Sequence, residues 1–383
     1  MIPYGKQSID ENDISVVEKV LRSDYLTTGP AVESFEHKLC DLTGARHAVA
    51  CANGTAALHL ACMALGIGKG NTGITSPITF LASANCVEFC GGAMDFVDID
   101  PDTLCLSTAA LESYCKDHAP PTVVIPVDFA GVPADLPAIW ALAKKYDFKV
   151  IEDAAHAIGS TYTYDSKEFQ CGCCTHSDMT IFSFHPVKAI TTGEGGAILT
   201  NNAVYANRLR RFRNHGMTKD PDSLSRNDSP WYYEMHELGF NYRITDLQCA
   251  LGTSQMNRLA AFKKRRQEIA SKYNEAFSGR ADLIVPPWPP ETSPCFHLYA
   301  LQFTKGEQVR KRVFESLAAH GISAQVHYIP VYWQPYYQKK YGYRQGKCPA
   351  SETYYSRCLS LPLYPAMADL EVNKVIEHVM ASL

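Results

Sequence analysis

The sequence predicts an α/β protein with a large domain built on a mostly parallel central sheet, followed by a smaller C-terminal α/β domain. Three observations predict it. Short apolar runs alternate with helical patterns over the first two-thirds of the chain, which is the pattern of parallel strands joined by crossover helices. A long helical stretch, Thr245–Phe277, then leads out of that region. Beyond it the Pro-rich segment PPWPP at 286–290 interrupts the pattern, and a new strand–helix–strand order begins. We therefore expect a large domain over 1–255, with an N-terminal arm over 1–30, and a small domain over 256–383.

Each element has its own signal. A helix over about residues 9–22 precedes the loop LTTGP at 26–30. Strand His47–Cys51 runs into the helical GTAALHLACMALG, and strand Gly73–Ser76 into FLASANCVEFC. Ala93–Val97, Thr122–Val127 and Phe148–Glu152 read as strands, with helices Leu111–His118 and Leu136–Tyr146 between them. Met179–Ser183 and Ala197–Thr200 are further strands. In the C-terminal part, residues 297–303 and Ser323–His327 read as strands around a helix at Val309–His320.

Composition excludes several classes. With 383 residues the chain is long enough for two domains and a large core. The net charge of −4, with both signs interspersed, argues against a general nucleic-acid binder. The most apolar stretch, His47–Gly68, is broken by Asn53, Gly54, Thr55 and His59 and does not read as a membrane span. The start, MIPYGKQSIDEND, carries no apolar signal core, so the expected location is the cytoplasm and the 14 cysteines read as reduced. Cys171, Cys173, Cys174 and His176 cluster in sequence, but their spacing matches no common structural zinc pattern, and no metal is expected.

Three motifs carry chemistry. In SFHPVKAITTGEGGAILTN, residues 183–201, a strand ends at Ser183 and Lys188 follows a Pro turn among apolar neighbours and small residues. A lone lysine at a turn is usually only solvated, but a partly buried lysine of lowered pKa can form a Schiff base with an aldehyde. In VIEDAAHAIGS, residues 150–160, a buried strand ends in Glu152-Asp153. A carboxylate there lies where parallel sheets hold ligands, although a helix-capping role reads equally well from the residues alone. In CANGTAALHLA, residues 51–61, a strand gives way to a helix at Asn-Gly-Thr. Amides at such a helix start favour an anion, and Gly54 permits close approach.

Together these motifs identify a resemblance. NGTAAL, PITFLASAN, EDAAHAIGS, FSFHPVKAITTGEGGA and GFNYRITDLQCALG resemble the DegT/StrS-type sugar aminotransferases, and the likeness runs from IPYGKQSID to LPLYP. It implies the pyridoxal-phosphate-dependent transferase fold of the aspartate aminotransferase type (type I), with pyridoxal 5′-phosphate (PLP) as cofactor. Lys188 then corresponds to the lysine that bonds PLP and moves protons in both half-reactions, and Asp153 to the partner of the pyridine nitrogen. Phe80 corresponds to an aromatic ring stacked on the cofactor, and His156 to a contact of the ring hydroxyl. Gly54, Thr55 and Ser183 correspond to phosphate ligands. Asn241 matches an asparagine that reaches the phosphate in the neighbouring subunit, which implies a homodimer with shared active sites.

Substrate-side positions follow from the same likeness: Tyr4, the loop Leu26, Thr27, Thr28, Gly29, and the segment Gln325, Val326, His327, Tyr328. Within the family, FSFHPVKAITTGEGGA, the HGM at 215–217 and AQVHYIPVY resemble the C4 transaminases of pseudaminic acid biosynthesis. That implies L-glutamate as donor and a UDP-linked 4-keto-6-deoxy sugar, UDP-2-acetamido-2,6-dideoxy-β-L-arabino-hexos-4-ulose, as acceptor. Other keto-sugar nucleotides (GDP-, dTDP- or C3-keto) remain alternatives. A PLP-dependent sugar dehydratase is a further alternative, but those enzymes have histidine in place of the lysine, so Lys188 favours transamination. A nicotinamide oxidoreductase is disfavoured because no GxGxxG follows the first strand.

Overall fold

The computed structural model describes residues 1–226 and 229–383. Its strands are β1 (His47–Cys51), β2 (Thr72–Thr75), β3 (Ala93–Phe96), β4 (Val123–Ile125), β5 (Lys149–Asp153), β6 (Thr161–Tyr164), β7 (Lys167–Gln170), β8 (Met179–Ser183), β9 (Gly196–Thr200), β10 (Met217–Thr218), β11 (Glu234–Met235), β12 (Leu283–Ile284), β13 (Thr292–Ser293), β14 (Tyr299–Phe303) and β15 (Cys358–Leu361). The central sheet has seven strands in the order β1-β9-β8-β5-β4-β2-β3. Only β9 runs against the rest, pairing antiparallel with both β1 and β8. The expected mostly parallel α/β architecture is therefore present.

The helices of this part are α1 (Glu11–Leu21), α2 (Pro30–Thr43), α3 (Gly54–Leu65), α4 (Ala82–Phe89), α5 (Thr108–Asp117), α6 (Leu136–Tyr146), α7 (Ala203–Arg213) and α8 (Asp246–Met256). Their ends follow local chemistry. The Asp10 and Asp13 carboxylates close a capping box on α1. The Asn53 side chain accepts from Ala56 N–H to start α3, and Gly66 ends it at φ 77°, a left-handed conformation that glycine adopts without Cβ strain. Helices α3 and α4 pack their small and apolar residues on one face of the sheet, with Val49, Ile125, Ile151, Ile181 and Ile198 beneath them.

The helical stretch 245–277 is not one helix. It breaks at Asn257–Arg258 into α8 and α9 (Leu259–Phe277), with Arg258 at φ −106°, ψ 0°. The break receives the N-terminal arm: Arg258 pairs with Asp13 and Asp10, and both Gln255 and Arg258 donate to Ser8 O. Ser323–His327 is likewise not a strand. The segment makes one isolated bridge, Gln325 with Ser360 of β15, and the residue before it, Ile322, makes another with Ile2 of the N-terminal arm. The sequence reading also passed over α2, α7, β15, α13 (below) and the hairpin β6–β7.

The remaining helices are α10 (Glu307–Ala319), α11 (Pro335–Tyr341), α12 (Pro349–Arg357) and α13 (Asp369–Ala381). A three-stranded sheet, β12-β14-β15, packs with α9, α10 and α13 around Tyr273, Phe277, Leu301, Val313 and Val375. The C-terminal part is not confined to this layer. Strand β13 pairs with β6, and Tyr332 and Tyr337 pack beside Phe96 in the core under α3 and α4.

Candidate active site

A cavity of about 460 Å³ opens at the C-terminal ends of the central strands. That volume is within the range of small-molecule sites, and the place is where open α/β sheets hold ligands. Its wall contains Tyr4, Gly54, Thr55, Phe80, Asp153, His156, Ser183, Lys188, His327 and Tyr328. These ten residues come from six separate stretches of sequence, so the fold brings together most of what the sequence singled out.

Asp153 ends β5 and is buried. Its Oδ2 accepts from Ser83 Oγ at 2.6 Å, and its Oδ1 from Ala155 N–H at 3.1 Å. Thr79 lies 2.7 Å behind Ser83, which extends the hydrogen-bonded chain. Burial pushes the Asp153 carboxyl up, while Ser83, Ala155 and the Lys188 charge oppose that shift. Lys188, in the loop between β8 and β9, is pushed down to about 8 by burial, with Asp153 pulling the other way. Such a lysine offers a neutral amine at a pH where an ordinary lysine is almost fully protonated.

At the start of α3 the amides of Gly54 and Thr55 have no intrahelical acceptor and aim out of the helix end. A Cβ on Gly54 would lie 2.9 Å from Ser183 Cβ, so only glycine allows helix start and strand end to meet this closely. The result is a cradle of amides and two hydroxyls (Thr55 and Ser183) suited to a phosphate. Opposite stands Phe80, with 58% of its surface exposed. An exposed Phe on a cavity wall is a ready platform for a flat ring.

Three histidines surround the lysine. His156 Nδ1 accepts from Ala130 N–H at 3.3 Å, which places its proton on Nε2, 3.4 Å from the Tyr328 hydroxyl. Burial, with Lys188 adding to it, holds His156 well below its ordinary pKa and His327 down at about 4. His327 Nδ1 lies 2.8 Å from Ser360 Oγ, and its ring is 5.7 Å from that of Tyr4. The third, His297, was not singled out in the sequence, where it reads as the first residue of a strand. Its Nε2 is 3.4 Å from Lys188 Nζ. That contact spans 109 residues, and no local motif could signal it. Ser83 was missed for a different reason: within FLASANCVEFC it reads as an ordinary small helical residue.

Other expected site residues lie elsewhere. Gln325 pairs its backbone with Ser360, and Val326 packs between two core layers. The loop Leu26–Gly29 is bound to the start of α8: Gly29 N–H donates to Asp246 Oδ2, Asp246 N–H to Leu26 O, and Thr27 bridges Thr245. Thr28 and Gly29 instead line another cavity, with Arg46, Arg210, Arg213 and Arg243. Asn241 is exposed and bridges Asn214, outside the Lys188 cavity.

The sequence cluster Cys171, Cys173, Cys174, His176 disperses. Cys173 and Cys174 thiols bond locally, and His176 Nδ1 meets the Tyr162 hydroxyl at 2.8 Å. Cys171 instead faces Asp128 and Glu152, all three buried with their polar atoms within 4.8 Å of one another. Burial raises both carboxyls, and the nearby charge of Glu152 raises Asp128 further, so one proton held by the pair accounts for the cluster.

Residues 7–380 match the DegT/DnrJ/EryC1/StrS aminotransferase family. The spore coat polysaccharide biosynthesis protein SpsC of Bacillus subtilis is 40% identical over 381 residues, 99% of this chain and 96% of that protein. A UDP-4-amino-4,6-dideoxy-N-acetyl-beta-L-altrosamine transaminase of Campylobacter jejuni is 35% identical over 384 residues, 100% of this chain and 97% of that one. Among solved structures, the Helicobacter pylori aminotransferase PseC, involved in the biosynthesis of pseudoaminic acid, superposes with a TM-score of 0.90 at 29% identity. That match covers 100% of this chain and 98% of PseC.

Proposed function

The chain belongs to the DegT/DnrJ/EryC1/StrS aminotransferase family, and on that footing we propose that it moves the amino group of L-glutamate to C4 of a UDP-linked 2-acetamido-2,6-dideoxy-4-keto-hexose. It is a transaminase of nucleotide sugars, and its cofactor is PLP. The residues present fit that cofactor: a phosphate cradle at Gly54, Thr55 and Ser183, a buried carboxylate at Asp153, and a half-open aromatic face at Phe80. The observation that carries the reading is the junction of Lys188 and Asp153 in that one cavity, each with its pKa shifted by burial.

PLP, when bound, supplies an electron sink that acidifies a C–H bond next to nitrogen. The chain supplies the rest. Asp153, held by Ser83 and Ala155, keeps a negative charge for a protonated ring nitrogen. His156, with its proton on Nε2, offers a donor to the ring hydroxyl. Phe80 would cover one face of the ring. Lys188 Nζ would take the proton from the α-carbon of glutamate in one half-reaction and deliver a proton to the sugar carbon in the other. Tyr4, His327 and Tyr328 line the wall nearest the sugar, and both His327 and Tyr328 are neutral at physiological pH, so they can bond sugar hydroxyls without opposing charge.

The C4 position and the UDP group are supported by the full-length likeness to the Campylobacter transaminase and to PseC. No helix among the described residues is long and apolar enough to cross a membrane. The test is a coupled L-glutamate assay against UDP-, GDP- and dTDP-linked 4-keto and 3-keto sugars, with NMR of the product. Turnover on the UDP-linked 4-keto sugar, abolished in Lys188→Ala, is expected. Activity on 3-keto sugars alone would overturn the substrate, and undiminished turnover by Lys188→Ala would overturn the role of the lysine.

A further inference from the structure

His297 is buried, and its place is fixed from several sides. Its N–H donates to Ala130 O at 2.8 Å, and its ring lies 4.4 Å from that of His156. Arg266, on α9 and also buried, donates to Phe296 O, to Leu363 O and to Lys188 O at 3.1, 3.0 and 3.5 Å. One guanidinium thus ties the residue before His297 to the backbone of Lys188. Nothing in this arrangement serves Asp153, the phosphate cradle or Phe80. Its effect is to hold one imidazole edge against one amine.

The position of the imidazole proton follows from hydrogen bonding. His297 Nδ1 is buried with no partner among the described residues. A proton there would be an orphaned buried donor, which carries the full cost of desolvation, whereas an unpaired ring lone pair is tolerated better. The proton therefore sits on Nε2, the atom 3.4 Å from Lys188 Nζ. A second proton on the ring is opposed by burial and by the charges of Lys188 and Arg266, which hold His297 well below its ordinary pKa.

We propose that His297 is a further catalytic residue: its Nε2–H donates to the lone pair of the unprotonated Lys188 amine and holds that amine ready as a base whenever it is not covalently engaged. The inference rests on Lys188 being the reactive lysine. An ammonium has no lone pair for the imidazole N–H, so a proton picked up by Lys188 Nζ breaks this bond and is passed on to the substrate carbon instead of being retained. No redox step is involved, and the proton that leaves one carbon is the one delivered to the other.

The groups facing Lys188 are Asp153 on β5, His156 after it, His297, His327 and Arg266. Asp153 favours the ammonium, and burial among these groups favours the neutral amine. The test separates His297 from the rest. The full-length, cofactor-free protein is labelled with acetic anhydride across the alkaline range, and the Lys188 peptide is quantified by mass spectrometry. The native midpoint is expected near 8. In His297→Asn, whose amide stops short at the Nδ1 position, and in His297→Met, which has reach but no donor, it should rise by about one unit, roughly a tenfold loss of neutral amine at neutral pH. His297→Gln places an amide N–H where Nε2 was and should keep the native midpoint. In the loaded enzyme, kcat should fall in the Asn and Met variants and recover in Gln, with KM little changed. A native midpoint above 10 would refute the reading of Lys188 itself. A native midpoint near 8 that Asn and Met leave in place, or that Gln shifts as much as they do, would refute the role of His297.

Discussion

Asp128 and Glu152 press two carboxyl groups together in a space closed to water, directly behind the strand that presents Asp153. Glu152 accepts from Thr180 Oγ and from Gly172 N–H, and Asp128 Oδ1 accepts from Ala134 N–H. Asp128 Oδ2 makes no hydrogen bond among the described residues, and beside Glu152 and Cys171 it is the oxygen left to carry a proton that relieves the repulsion between the two carboxylates. Both folded-state pKa values are raised above those of the unfolded chain. The folded protein therefore holds an extra proton from the ordinary carboxylate range, about 4, upward, and stability falls as pH rises through that window. Asp128→Asn puts a permanent N–H where that proton sits. We expect it to flatten the decline of Tm above about pH 4 and to stabilise the protein at pH 8 by about 1 kcal/mol, or a few degrees. Scanning calorimetry at several pH values checks this. A variant as pH-sensitive as the native protein would show that the carboxyls are stabilised some other way. Glu152 and Asp153 are adjacent in EDAAHAIGS, yet only the fold separates their roles: the side chains of neighbouring strand residues leave on opposite faces, one toward the cavity and one toward Cys171.

The strands of the central sheet were legible to within about two residues because each is a short apolar run bounded by turn residues. The hairpin β6–β7 was not, since its outer half, Thr163–Glu168, is exposed and mostly polar, and its turn residues Asp165 and Ser166 (φ 48° and 60°) lack the Asn-Gly or Asp-Gly signal of such turns. The break between α8 and α9 was illegible for a tertiary reason. Nothing in QMNRLA forbids a continuous helix. What ends α8 there is the arm, whose Asp10 and Asp13 take the Arg258 guanidinium away from a helical surface. The Asp13 side chain is buried, so removing Arg258 leaves its charge with two neutral donors, Gln255 Nε2 at 2.6 Å and Asp10 N–H at 3.1 Å. Breaking a fully buried pair costs about 3–5 kcal/mol, and Arg258 is partly exposed, so we expect Arg258→Ala to cost about 2 kcal/mol. The arm should also be cut sooner in limited proteolysis, because α1 docks on α8 through this contact. Native Tm together with native cleavage kinetics would show that α1 is held by its apolar face instead.

Across the whole molecule, most of the residues singled out in the sequence converge, and a few stay apart. Lys188, Asp153, His156, Ser183, Gly54 and Thr55 meet in one cavity of a single chain. Asn241 and the loop Leu26–Gly29 stay outside it, set around the other cavity with Arg46, Arg210, Arg213 and Arg243. A single sequence specifies which residues share an element, but it does not say which chain completes a site. Both placements fit the homodimer that the family likeness implies, and we propose that the patch exposed on one subunit faces the cavity of the other. This arrangement predicts complementation. Lys188→Ala removes the base from its own cavity and leaves Asn241 intact. Asn241→Asp keeps Lys188 but turns a carboxylate toward the phosphate of the facing subunit, where like charges repel. Each homodimer should be nearly inactive. Dissociated, mixed in equal amounts and reassociated, they should form heterodimers in which both lesions fall in one site and the other site is intact. Random pairing makes half the dimers mixed, each with one working site of two, so about a quarter of native activity should return. If every site were built from one chain, Asn241→Asp would stay active alone, and the mixture would show no more than the mean of the two variants.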